Sequence, residues 1–321
     1  MDFFNLGPAL TAKGRALLLP LLLLSPRLSS SCMCTSPSSD SSFATNIVDE
    51  AAVASAAEVT VALGRETEGG FGNFRFCASF CMPPHVAFFP AAHAPSVAQN
   101  APEASDPIYF ALGLECGDLA QIAMATAVAS EGAVAGQRLP QRVVTSALSE
   151  TFTAALVPLE GHAKAAATAL NPVEGSPRPV AYRGSDASLN PGLAEDYSVG
   201  SAFETALGGK SFGNSGTLAM AAAVTAALKA LPVSLTGYSG LMLPPLEDSC
   251  LARTPRAYGV TDLLSYSSVC GVGLDTVPLP GDTSAQEIEA LLHDVAALAC
   301  KWNKPVRVIF ACADLRTYTR T

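Results

Sequence analysis

Charge is scarce in this chain of 321 residues. Lys, Arg, Asp and Glu together make up 15% of it, and the acids outnumber the bases to leave a net charge of −9. Lys and Arg gather into no basic stripe, which excludes a nucleic-acid binder that tracks phosphates. Aromatics are few, 7% with a single Trp, although the apolar total reaches 49%. Alanine carries much of that total, so the core is expected to be made of closely packed helices rather than large rings. No apolar run is long enough to cross a membrane as a helix. The nine cysteines include no C-x-x-C pair. An odd, scattered set fits reduced thiols in an intracellular compartment and not a disulfide framework. There is no internal repeat, and the length suits one large domain or two modest ones.

What is present begins with a stretch unlike the rest. Lys13 and Arg15 precede a short apolar run at 16–24 that Pro20 interrupts, and 25–42 is rich in serine and nearly free of acids. The basic start suits a secretory signal. The serine richness suits a transit peptide for a plastid or mitochondrion, and the reduced-looking cysteines favour that reading. A cytoplasmic protein whose first 45 residues have no targeting role is the other. Residues 1–45 are therefore set apart as a leader, and 46–321 as the folded domain.

Along the domain, strand and helix patterns alternate. An Ala/Val-rich helix is expected over 47–63 and a loop over 64–72. Period-two alternation of Phe74, Phe76, Ala78 and Phe80 predicts a strand. A buried strand is expected at 108–112, followed by a helix to about 130. Two helices at 141–156 and 160–170 should be broken at Pro158. A short strand at 180–182 opens into a loop of turn formers at 184–191. Ser198 should cap a helix ending near 207. A helix should run from 217 to 230, with a strand-like segment at 233–243 and a helix at 261–268. Ser284 and Glu287 have capping-box spacing. Ile288, Leu291, Leu292, Val295 and Trp302 then fall on one helical face, and 306–311 is a β-branched strand. This order predicts an α/β fold with parallel strands.

Four runs carry a family resemblance: GSDASLNP at 184–191, FGNSGT at 212–217, GYSGLMLP at 237–244 with Glu247 and Asp248, and CGVGLDTVP at 270–278. They resemble, in order, the motifs of the domain-of-unknown-function 711 family, and FFPAA at 88–92 and GLE at 113–115 are similar to its upstream motifs. The resemblance covers about 72–309. It implies a ten-stranded α/β barrel like that of pyruvate formate-lyase, and a small ACT-domain protein as a regulatory partner or a homo-oligomer. The opening 60 residues and the last dozen do not resemble the family, so an incomplete barrel is expected. The radical chemistry of that barrel's best-known members needs paired cysteines and a glycine loop of the R-V-x-G-Y kind. This chain has neither, and fold alone does not carry a reaction.

The candidate chemistry sits in those runs. Cys270 precedes Gly271-Val-Gly, where backbone amides can converge on an anion, and Asp275 follows. A nucleophilic thiol needs a cation, a base or a helix N-terminus beside it; Arg253 and Arg256 are the candidates, and an inert buried thiol is the alternative. Glu115, Asp186, Glu247, Asp248 and Asp275 fall at strand ends. Oxygen-only clusters suit Mg²⁺ or Ca²⁺ and paired carboxylates suit acid–base work, whereas each alone would serve as a cap or a surface pair. Ser188 and Asn190 share the loop of Asp186, and Gly240 lies in the facing motif. Gly213, Ser215, Gly216 and Thr217 open a helix and could cradle an anion, without the lysine of a P-loop. Cys77, Cys81, His85 and His93 are spaced too tightly for a structural zinc site, so no metal ligands are assigned. The expectation is an enzyme acting on a small anionic metabolite by non-radical chemistry, with Cys270, Asp275 and Asp186 catalytic. The alternatives are a ligand-binding or regulatory module, or an inactive fragment. An enzyme should bring Cys270 and at least two carboxylates into one pocket.

Overall fold

A computed structural model describes residues 34–35, 47–76, 78–80, 108–134, 136–171, 180–255, 257–270, 274, 276–302 and 306–313. The leader other than Cys34 and Thr35, the run at 88–92, Cys77, Cys81, His85, His93, Arg256, Gly271 and Asp275 lie outside the described residues. In chain order the elements are β1 (Cys34–Thr35), β2 (Ile47–Val48), α1 (Glu50–Glu66), β3 (Ala78–Phe80), β4 (Ile108–Gly113), α2 (Gly117–Glu131), α3 (Gln141–Leu170), β5 (Val180–Asp186), α4 (Val199–Ala206), α5 (Thr217–Lys229), α6 (Ser249–Arg253), α7 (Val260–Ser268), β6 (Thr276–Pro280), α8 (Ala285–Trp302) and β7 (Val306–Ala313). Helices dominate a mixed α/β chain that divides into two compact units.

One unit holds the three-stranded sheet β3–β7–β6, with α1 and α8 packed on each other. β6 and β7 run parallel, as the alternation predicted, but β3 pairs antiparallel with β7. The strand expected from Phe74 begins only at Ala78. Residues Glu68–Arg75 form a tight 3₁₀ turn instead, with Gly69 and Gly70 both at positive φ, a geometry only glycine adopts cheaply. Asp49 caps α1 by accepting from the Ala52 amide at 3.1 Å. Gly64 lets α1 approach β7 closely, since a Cβ there would sit 2.8 Å from the Cys312 carbonyl oxygen. The capping box of α8 forms as its spacing predicted: the Glu287 amide donates to Ser284 Oγ at 3.2 Å and the Ser284 amide to Glu287 Oε2 at 2.8 Å. Ile288, Leu292 and Val295 are buried, but Trp302, at the helix end, is exposed.

The other unit is built on the parallel pair β4–β5. β4 is half-buried rather than buried. The segment expected as a strand at 233–243 makes only two isolated parallel bridges, Ser185 to Leu235 and Leu189 to Leu241. Gly237 (φ 60°) and Ser239 (φ 40°) turn the chain out of the extended region between them. α3 packs on β5, α2 and α5. It was expected to break at Pro158 and does not. Its buried face (Leu148, Phe152, Leu156, Glu160, Ala163, Ala167) continues through the proline without a shift. Pro158 and Ala154 both lie on the exposed side, so the carbonyl that loses its N–H partner faces water. Where α3 ends, the Asn171 side chain holds Val180 by both backbone groups, donating to its carbonyl at 2.8 Å and accepting from its amide.

Candidate functional site

The C-terminal end of β5 is tied to the 237–240 turn by one carboxylate. Asp186 is buried. Its Oδ1 accepts from the Ser188 amide at 3.1 Å, the Ser188 hydroxyl at 2.6 Å and the Ser239 amide at 2.9 Å, and its Oδ2 from the Tyr238 amide at 2.9 Å. The Gly240 amide in turn reaches Ser188 Oγ at 3.4 Å. Gly237 must lack a side chain, because a Cβ would fall 2.1 Å from Asp186 Oδ2. Asp186, Ser188 and Gly240 are thus brought together, as a hydrogen-bonded knot whose acceptors face protein donors. Asn190 follows, with its carbonyl oxygen close to Gly117, and Glu115 is exposed at the end of β4.

Asp248 does a comparable job for helices. It is buried and is the N-cap of α6, accepting from the Cys250 and Leu251 amides at 2.9 and 3.1 Å. It also accepts from the Ser198 hydroxyl at 2.7 Å and the Gly200 amide at 3.0 Å, in the first turn of α4. Its neighbour Glu247 is exposed. The turn before α5 is anchored by Phe212, which contacts Phe203, Tyr258 and Tyr266 at ring-centroid distances of 5.8, 5.4 and 5.6 Å. The Gly213 amide donates to Thr217 Oγ1 at 3.2 Å, Thr217 Oγ1 donates to the Asn214 carbonyl at 2.8 Å, and the Phe212 amide goes to Glu204 Oε1 at 3.0 Å. Gly216 is the left-handed N-cap of α5 and Ser215 is exposed beside it. Several of the amides expected to cradle an anion are therefore spent inside the turn. Cys270 is buried just beyond α7, its thiol directed at the Ser267 carbonyl at 3.5 Å. Arg253, a candidate cation for that thiol, is engaged by Glu195. Among the described residues, no three His, Cys, Asp or Glu side chains group as metal ligands.

A cavity of about 410 Å³ lies elsewhere in the same unit, between the second half of α3, β5 and Ser234, and none of the residues above lines it. Its wall is formed by Lys164, Ala167, Thr168, Tyr182, Arg183 and Ser234. The Arg183 guanidinium carbon stands 4.1 Å from the centre of the Tyr109 ring, and its Nε is buried without a hydrogen-bond partner. A buried polar donor left unpaired costs free energy unless something supplies an acceptor. Lys164 pairs with Glu160 one turn earlier at 3.2 Å. The other Glu160 oxygen accepts the Ser234 amide at 2.8 Å. Hydrogen bonding from Ser234 holds the Glu160 carboxyl below its ordinary value, against the opposing effect of burial. The arrangement places two cations, Lys164 and Arg183, in the wall of one concave site. Sequence reading passed over these residues. The signals were there in the i,i+4 spacing of Glu160 and Lys164 and in a lone Arg within the strand pattern.

The chain matches the family described as Uncharacterised ACR (DUF711) over residues 27–311. Similar curated proteins are UPF0210 proteins. That of Desulfovibrio desulfuricans is 38% identical over 119 residues, 35% of this chain and 26% of the relative. That of Pyrobaculum aerophilum is 36% identical over 135 residues, 40% of this chain and 30% of the relative. That of Desulforudis audaxviator is 41% identical over 115 residues, 34% and 25% of the two chains. The matched region thus spans about a quarter to a third of the length of these curated relatives. No helix among the described residues is long and apolar enough to cross a membrane.

Proposed function

Because the chain belongs to the DUF711 family, and because that family carries no assigned reaction here, we propose from the geometry that it binds a small anionic metabolite and acts as a ligand-binding or regulatory module. The observation that carries this reading is Arg183, which stands in the wall of the 410 Å³ cavity beside Lys164 and whose Nε is buried without a hydrogen-bond partner among the described residues. Arg183 makes the primary contact with the anion, Lys164 adds long-range attraction, and Tyr109 holds the guanidinium plane. Asp186 and Asp248 act as organisers of strand and helix ends, since their oxygens are already hydrogen-bonded to protein donors. We read residues 46–321 as part of a pyruvate formate-lyase-like ten-stranded barrel because of the family resemblance, each parallel pair, β4–β5 and β6–β7, being joined through helices, and 1–45 as an organelle leader because of its serine-rich, acid-poor composition. A regulatory module of this kind would suit an ACT-domain partner. An enzymatic reading keeps Cys270, Asp275 and Asp186 as its candidates.

The test is the melting temperature of the full chain against rising concentrations of small carboxylates and phosphates, with propionamide as the neutral control. A ligand that binds only the folded state at 100 times its Kd adds about 2.7 kcal/mol. The melting temperature should rise with anions, not with propionamide, and the rise should vanish in Arg183→Gln. A rise that survives Arg183→Gln moves the site elsewhere in the chain.

A further inference from the structure

We infer that this site selects small monocarboxylates over phosphate dianions; the inference rests on the anion-binding reading above and goes beyond it by naming the ligand class. The local charge sets the first limit. Arg183 and Lys164 contribute two positive charges and Glu160, held by Lys164 and the Ser234 amide, returns one negative. A net single positive charge balances a monoanion. A dianion would leave one charge uncompensated against the buried Glu160 carboxylate.

Donor geometry sets the second limit. The guanidinium carbon lies 4.1 Å from the centre of the Tyr109 ring, and Nε is buried without a partner among the described residues. A guanidinium carries parallel pairs of N–H bonds, the fork that matches the two oxygens of one carboxylate. Beyond Arg183 the chief donor of the wall is the Lys164 ammonium, which is already paired with Glu160. The Thr168 hydroxyl donates to the Lys164 carbonyl at 3.0 Å, and the Tyr182 hydroxyl is shared with Ser185 Oγ at 2.7 Å. A phosphate asks more donors of this wall than a carboxylate does, whereas the Ala167 methyl and the Tyr182 ring suit the short alkyl chain of a carboxylate.

The test is calorimetric titration of the full chain with propionate and, separately, with inorganic phosphate at a pH where phosphate is mainly dianionic. The wild-type chain should bind propionate at least about tenfold more tightly than phosphate. Glu160→Gln keeps an oxygen for the Ser234 amide and removes the negative charge. It should narrow that preference by about tenfold or reverse it, chiefly by strengthening phosphate binding. Equal or tighter phosphate binding in the wild type, or a ratio unmoved by Glu160→Gln, overturns the inference. If both anions bind and both are lost in Arg183→Gln, the anion-binding reading stands even when the carboxylate preference fails. If neither binds, both readings fall.

Discussion

Two aspartates that are conspicuous in sequence tie together segments of the chain that lie far apart in it. Asp186 and Asp248 were singled out because they sit in dense Gly/Ser/Pro motifs at element ends, and each proves to be encircled by protein donors. A buried carboxylate that accepts several amides holds segments together which are distant in the chain. Asp248→Ala would strip an N-cap and orphan the Ser198 hydroxyl and the Gly200 amide in the interior. Unfolding in urea should report a loss of roughly 3 kcal/mol. Asp248→Asn should fall between the two, since the amide oxygen replaces one acceptor while its NH₂ group opposes the remaining donors. The motif positions were legible, and a cap was among the roles weighed for them; their partners were not, because these lie some 50 residues away. Arg183 and Lys164 illustrate the converse. Nothing in their local sequence shows that Tyr109 and Ser234 stand beside them.

Among the elements, the helices were read well and the strands less so. Helix signals are local: caps at Ser198 and Ser284 and the stripe of α8 can all be seen within one or two turns. The break at Pro158 was misjudged because packing of the buried face can offset the cost of a proline on the exposed side, and packing is a tertiary property. The 233–243 segment has strand composition but turns at Gly237 and Ser239 to meet Asp186. The 3₁₀ turn Glu195–Tyr197 offers a test at this scale. Glu195 pairs with Arg253 and accepts from Ser201 Oγ at 2.6 Å and Ser249 Oγ at 2.9 Å, tying the turn to α4 and α6. These contacts, Arg253 foremost, draw its carboxyl down from 4.5 to about 2. The folded value is depressed, so this stabilisation is complete above about pH 4.5 and is lost as pH falls towards 2. Both side chains are more than half exposed, 52% and 60%, so screening limits the contribution to about 1 kcal/mol or less. Stability measured between pH 5 and 2 should therefore fall less steeply in Glu195→Gln than in the wild type, and the difference should shrink in high salt.

For the molecule as a whole, the scattered cysteines become reporters of opening. Burial, then the charges of Asp118 and Asp186, pushes the Cys116 thiol up to about 12. Burial, then Glu204, does the same for Cys250. Only the thiolate reacts, and at pH 8 its share at these values is ~10⁻⁴. Both cysteines belong to the unit built on β4–β5. They should resist a thiol reagent in the native protein and label at a common rate set by opening of that unit, while the half-exposed Cys300 labels early. Labelling of Cys116 and Cys250 at unrelated rates would show that the unit does not open as one body. The low charge and alanine-rich composition foretold a helix-dominated core, and the alternation foretold parallel strands. The antiparallel addition of β3 and the location of the cavity depend on contacts that no local pattern encodes. The knot around Asp186 has a consequence for how this lineage can diverge. The motifs by which its members are recognised preserve the architecture, so two relatives can share every one of them and bind different molecules. On the anion-binding reading, a change of ligand would be written at 164, 183 and 160, outside the four motifs that carry the resemblance, and comparison of relatives should begin there.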